Sequence, residues 1–205
     1  MPTSPYTHLT TIVEFLIATR PTSLLDIGLG NGKLGFIARD LLDVMLGERG
    51  KFKKKDWKTK IDGIEIFADY IQDHQKAIYD EIFIGNAFDV IDTLRTYDMI
   101  VLGDVLEHFE KNQARQFFGK CIAHSNKHLI VCIPLGEKWT QSAIYGNPYE
   151  RHLSFWSFGV TVSMKQPPPP AADGFSACGG GTAWPLSLVS FIAPIGMGGG
   201  SSDLE

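Results

Sequence analysis

The chain has 205 residues, 44% of them hydrophobic and 20% charged, the balance of a globular protein with one sizeable core. A net charge of −4 argues against bulk electrostatic attraction to nucleic acid or membrane, and no apolar run reaches the ~18–20 residues needed to cross a bilayer. Cys121, Cys132 and Cys178 show no ligand spacing, and residues 1–8 show no secretory pattern. The expectation is a reduced, cytoplasmic protein without a metal site.

In chain order, Leu9, Ile12, Val13, Leu16 and Ile17 recur at helical spacing over 8–19. Ser23–Ile27 is a short apolar run stopped by glycines and reads as a buried strand. A helix over Lys33–Leu46 follows, with Leu34, Ile37, Leu41, Leu42 and Met45 on one face. Residues 61–66 read as the second strand and 68–79 as the second helix. The alternation continues with a strand at 81–84, a short helix near 88–94 and a strand at 98–103. A helix at 111–124 and a strand at 128–134 complete it. Five apolar strands separated by helices imply a doubly wound, mostly parallel sheet covered on both faces. The pattern ends near residue 160. Residues 161–205 form a Pro/Gly-rich segment with Pro167–Pro170, Gly179–Gly181 and Gly198–Gly200, read as either poorly ordered or completing the sheet. Leu186–Ile192 is its one candidate strand.

The most informative stretch is LLDIGLGNGKLG at 24–35, which joins strand to helix through Gly28, Gly30 and Gly32. Glycine lets backbone approach a ligand closely, and such a turn ends the first strand where α/β folds bind ligands. Glycines that merely allow a tight connection are the plain alternative. Gly30, Gly32 and Gly35 also satisfy the GxGxxG pattern of dinucleotide sites. Against that stands Asp26, where a pyrophosphate would meet a carboxylate. The acidic residue expected ~20 positions on is Glu65, which lies 30 beyond Gly35.

Taken together, these residues resemble the class I S-adenosylmethionine-dependent methyltransferases over roughly 20–158. Asp26, Gly28, Gly30 and Gly32 match the first motif, and Glu65 in GIEIF matches the acid that ends the second strand. Asn86 in IGNAFD matches the polar residue after the third strand, and LGDVLEHF at 102–109 matches the fourth motif. The resemblance implies a Rossmann-like domain over 1–160 that binds S-adenosylmethionine. Its cofactor contacts would come from Asp26, Gly28, Gly30, Gly32, Glu65, Ile66, Asn86, Ala87 and Asp104, with Glu65 accepting from the ribose hydroxyls. It also implies a seven-stranded sheet ending in a hairpin, which nothing after residue 160 clearly supplies. Each residue has a plainer reading as well: Asp26 and Asp104 as helix caps, Glu65 as a strand-end carboxylate, and Asn86 as a turn former.

Glu107 and His108, just past the fourth strand, and His152 in NPYERHLSFWS are the candidates for a general base. Trp139, Tyr145, Tyr149, Arg151, Phe155 and Trp156 would then form one wall of an acceptor pocket. Alternatively, these aromatics pack a lid and Glu107–His108 open a solvated helix. Residues 49–60 hold seven Lys or Arg around Phe52 and Trp57. This pattern is able to bind nucleic acid, although a charged connection is usually a solvated loop. The expectation is methyl transfer to a small molecule, with no membrane partner. A cofactor-binding domain without turnover and an NAD-dependent oxidoreductase are the alternatives.

Overall fold

The computed structural model describes residues 9–134, 136 and 140–156, together with strand 187–189. Readings that fall on Trp139 or on the rest of 157–205 lie outside the described residues.

Six strands form one sheet in the order β3-β2-β1-β4-β5-β6, and every neighbouring pair is parallel. They are β1 (Ser23–Ile27), β2 (Lys60–Glu65), β3 (Glu81–Ile84), β4 (Tyr97–Gly103), β5 (Ser125–Cys132) and β6 (Ser187–Val189). The helices between them are α1 (Leu9–Thr19), α2 (Lys33–Arg39), α3 (Asp73–Ile78), α4 (Ala87–Val90) and α5 (Lys111–His124). Alternate residues of one strand point to opposite faces of a sheet, and β1 and β4 feed a separate core on each side. Leu25, Ile27, Ile100 and Leu102 join Phe117 and Cys121 of α5. Leu24, Met99 and Val101 join Ile12, Phe15 and Leu16 of α1 and Ala38 of α2. Apolar runs without polar alternation follow from this double covering.

The sequence pattern and the structure part in three places. The expected helix over 33–46 changes pitch after Arg39 into a π-helical stretch, Asp40–Met45, closed by Leu46 N–H donating to Leu41 O at 2.9 Å. Arg39 stands at that junction, buried, and donates to Asp43, to Thr59 O and to Ile78 O. Over 68–79 a single helix is replaced by a 3-10 turn at Ala68–Tyr70 and then α3. Gln75 causes the break. Its side chain accepts from Gln72 N–H at 2.7 Å, capping α3, and donates to Gly30 O and Tyr70 O. Thirdly, β5 starts at Ser125, directly after α5 and ahead of the apolar run, because Ser125 already pairs with Tyr97 of β4. β6 falls within the candidate strand Leu186–Ile192 and pairs with β5 in parallel, Leu188 opposite Leu129. The terminal hairpin that the resemblance implies lies outside the described residues.

Candidate active site

The carboxyl ends of β1, β2 and β4 open onto a cavity of about 660 Å³. Every site residue read from the sequence except Gly32 lines it: Asp26, Gly28, Gly30, Glu65, Ile66, Asn86, Ala87, Asp104, Glu107, His108 and His152. Gly32 lies at the start of α2, just beyond the wall.

The loop after β1 is shaped by backbone geometry. Gly28, Gly30 and Gly32 have φ of 72°, 49° and 80°, values L side chains rarely adopt. At Gly28 a Cβ would also lie 2.6 Å from Val105 Cγ2. The loop is then pinned by Glu65 at the end of β2. Its Oε2 accepts from Gly30 N–H at 3.0 Å, and its Oε1 accepts from Phe67 N–H at 3.0 Å. Burial raises the Glu65 carboxyl above its ordinary value, and these two hydrogen bonds oppose the rise.

Asp26 is 3% exposed and faces inward at the base of the loop. Its Oδ2 accepts from the Tyr79 hydroxyl at 2.5 Å, and Tyr79 Oη in turn accepts from Gly35 N–H at 3.1 Å. Burial pushes the Asp26 carboxyl up to about 7, opposed by Tyr79 and assisted by the nearby Glu65. Tyr79 left no signal in the sequence, since it reads as the last apolar position of a helix. Asn86 accepts from Phe88 N–H at 3.0 Å and so caps α4 while lining the cavity. Asp104 has φ of 56° at the end of β4, and its N–H donates to Cys132 O at 2.9 Å.

The opposite wall comes from a 3-10 turn, Leu106–His108, and the segment 141–156. Leu153 N–H and Ser154 N–H both donate to Glu107 O, at 2.7 and 3.1 Å, and Ser154 Oγ donates to Leu106 O. His108 Nδ1 lies 3.1 Å from Arg151 O, and the rings of His108 and His152 meet edge to face at 5.1 Å. Glu107 is 1% exposed, so it does not open a solvated helix. Neither of its carboxyl oxygens has a hydrogen-bond partner among the described residues. Burial, with Asp104 nearby, raises that carboxyl well above its ordinary value, and burial lowers the imidazole of His108.

Tyr145 and Tyr149 are exposed side chains at the cavity rim, whereas Trp156 packs into the core. Tyr145 and Gly146, with φ of 53° and 72°, form the two-residue tip that brings Asn147 N–H to Ile144 O at 2.9 Å. Glu150 was not singled out in the sequence. It is buried at the cavity wall and accepts from the Tyr70 hydroxyl at 3.0 Å and from Asn147 Nδ2 at 3.3 Å.

The basic loop belongs elsewhere. Lys60 pairs with Ser23, so residues 49–59 lead into the strand ends opposite the glycine loop. Lys54 Nζ donates to three carbonyls at the end of α3, Lys51 and Lys58 pair with Glu48, and Trp57 packs on the Arg39 guanidinium.

A parallel sheet in the order 3-2-1-4-5, a glycine turn after β1 and a buried acid ending β2 over that turn define the architecture. The chain carries a Rossmann-like, doubly wound fold. No family model matches the sequence, and no curated protein does. Solved structures with a similar fold include an S-adenosylmethionine-dependent methyltransferase from Archaeoglobus fulgidus, 17% identical with a TM-score of 0.46, aligned over 72% of this chain and 60% of that one. An O-methyltransferase family protein from Burkholderia thailandensis is 12% identical with a TM-score of 0.46, over 70% of this chain and 45% of that one. TomG, an O-methyltransferase from Streptomyces achromogenes, is 14% identical with a TM-score of 0.44, over 64% and 57%. The chain thus spans about half the length of these proteins. Among the described residues no helix is long and apolar enough to cross a membrane.

Proposed function

We propose that this chain transfers the methyl group of S-adenosylmethionine to a small-molecule acceptor. The observation that carries this reading is the acidic lining of the cavity, whose buried carboxyls a bound cation would hold ionised against the effect of burial. Asp26, Glu65, Asp104, Glu107 and Glu150 line the cavity, against Lys33 and Arg151. S-adenosylmethionine brings an ammonium and a sulfonium and no phosphate, so its charges suit such a wall. A dinucleotide would set its pyrophosphate against Asp26 and Glu65.

In this reading the glycine loop and the end of β2 hold the cofactor, with Glu65 accepting from the ribose through the lone pairs its two backbone donors leave. Asn86 and Ala87 flank the adenine. The acceptor enters from the side of Glu107, His108 and His152. Methyl transfer is an in-line displacement in which the sulfur leaves as a neutral thioether. Alignment of the acceptor lone pair with the methyl carbon can supply ~7–11 kcal/mol. A proton acceptor is needed only for an acceptor atom that carries a proton. Burial lowers the imidazole of His108 below its ordinary value, which favours the uncharged form able to take one.

Calorimetry with S-adenosylmethionine, S-adenosylhomocysteine and NAD tests the cofactor. The two sulfur compounds should bind and NAD should not, and preference for NAD overturns the reading. Release of labelled methyl groups to a panel of small hydroxyl and amine compounds tests turnover. Cofactor binding without release to any acceptor would leave a cofactor-binding domain.

A further inference from the structure

We propose that Glu107, His108 and His152 form a binding site for one divalent transition-metal ion of the Mn²⁺, Co²⁺ or Zn²⁺ class, at the acceptor end of the cavity. One ligand atom from each residue lies within 4.8 Å of the other two. Bonds of about 2.0–2.2 Å at tetrahedral angles hold ligand atoms about 3.3–3.6 Å apart. The three groups therefore need to close by no more than about 1.5 Å around an ion, a movement within reach of side-chain rotation.

The backbone already brings them together. Glu107 and His108 are neighbours on one 3-10 turn, and His152 is delivered by the strand-like segment whose next two N–H groups both donate to Glu107 O. The contact between His108 Nδ1 and Arg151 O completes the clamp. A proton on Nδ1 donates to that carbonyl and leaves the Nε2 lone pair for an ion, the arrangement that orients metal-binding histidines.

Glu107 supplies an independent observation. Its carboxyl lines the cavity at 1% exposure with both oxygens lacking a partner among the described residues. A buried carboxyl without partners is costly, and a cation gives it one. Two imidazoles with one carboxylate favour first-row transition ions over Ca²⁺ or Mg²⁺, which prefer oxygen ligands. Three protein ligands leave coordination positions open, and here they face the cavity. Lone-pair acceptors that are also metal ligands, such as hydroxyl or carbonyl oxygens, are the compounds such an ion would hold. The site does not depend on which cofactor the glycine loop binds.

The test uses the untagged full chain, treated with chelator and titrated with Mn²⁺, Co²⁺ or Zn²⁺ in the absence of S-adenosylmethionine. Calorimetry should give one ion per chain, and bound Co²⁺ should show the visible absorption of imidazole ligation. Glu107→Gln and His152→Gln should each weaken the ion by about tenfold or more, with the metal-free melting temperature checked for both. Should Glu107→Gln fail to fold, His108→Gln takes its place. Tenfold losses in both folded variants support the site. A loss in fewer than both, or no saturable binding by the wild-type chain, overturns it. Glu65→Ala separates the two readings: it should leave ion affinity unchanged while S-adenosylmethionine affinity falls.

Discussion

The two ends of the cavity treat their carboxylates in opposite ways. At the glycine-loop end, Glu65 and Asp26 are buried and supplied with donors by the chain itself, from Gly30 N–H, Phe67 N–H and the Tyr79 hydroxyl. At the far end, Glu107 is as deeply buried and has no donor at all among the described residues. Buried polar groups are nearly always hydrogen-bonded. The first end is therefore a scaffold whose acids hold the loop in shape, and the second carries the carboxyl to which we assign the ion. Substitutions at the first end should disturb the loop together with the cofactor, whereas those at the second should change ligand binding alone.

The sharpest way to break this contrast is Gly30→Val. Its φ of 49° suits glycine, and a β-branched residue there is a strong outlier. We expect cofactor affinity to fall by more than about a hundredfold, equivalent to over ~2.7 kcal/mol. Normal binding by calorimetry would make the glycine loop purely structural. Next comes Glu65→Ala, which removes a charged acceptor from two backbone donors and, in the proposed complex, from the ribose. Charge-assisted bonds contribute ~1.5–3 kcal/mol, so the expected loss is roughly ten- to a hundredfold. Unchanged affinity would show that the carboxylate serves the loop only.

Asp26→Ala should destabilise the fold as well as weaken cofactor binding. With Asp26 gone, the buried Tyr79 hydroxyl loses its acceptor, a cost of about 1–3 kcal/mol in stability. Tyr79→Phe in the same background should recover part of that loss in denaturant unfolding. A cofactor defect at full stability would overturn this placement.

The same carboxyl sets a pH dependence. Its value rises from 3.8 to about 7 on folding, so between those limits the folded protein holds a proton that the unfolded chain has released. The stability this proton contributes is complete below about 3.8 and is lost as pH climbs to about 7. The slope is at most about 1.4 kcal/mol per pH unit. Asp26→Asn carries no titrating proton, so its stability should fall less steeply over this window in cofactor-free unfolding experiments. Equal slopes would mean that Asp26 does not hold its proton.

Much of this was legible in the sequence, for physical reasons. β1, β3 and α5 fall where their patterns place them because uninterrupted apolar runs and helical periodicity report burial directly. That Asp26, Glu65, Asn86 and Asp104 line one cavity was legible because they sit at strand ends, where position alone decides what they face. What the pattern concealed is side chains that bond across the sequence. Gln75 interrupts a helix by bonding to Gly30 and Tyr70, and Tyr79 reaches Asp26 across 53 positions. Glu107, His108 and His152 were visible as proton-transfer candidates. Their grouping as an ion site was not, because 44 positions separate His108 from His152 and only the backbone clamp at 151–154 closes that distance.

The smallest expected effect lies in the basic loop, and it tests whether charge or capping explains those residues. Lys54 Nζ donates to Lys76 O, Ala77 O and Tyr79 O at 3.0, 2.9 and 3.2 Å, satisfying carbonyls that the end of α3 leaves without intrahelical donors. Neutralising Lys53, Lys54 and Lys55 together should therefore lower the melting temperature slightly, by no more than about 3 °C. Lys54→Ala alone should reproduce most of that fall, since of the three lysines it is Lys54 that donates to those carbonyls. Cofactor affinity should stay unchanged, because the loop meets the sheet at the strand ends away from Gly28–Gly32 and solvent screens charges beyond ~8–10 Å. A marked drop in affinity for S-adenosylmethionine would place these lysines at the cavity and reverse the assignment of the two ends. Affinity for single-stranded nucleic acid that vanishes in the triple variant but survives Lys54→Ala would instead make the loop a binding surface in its own right.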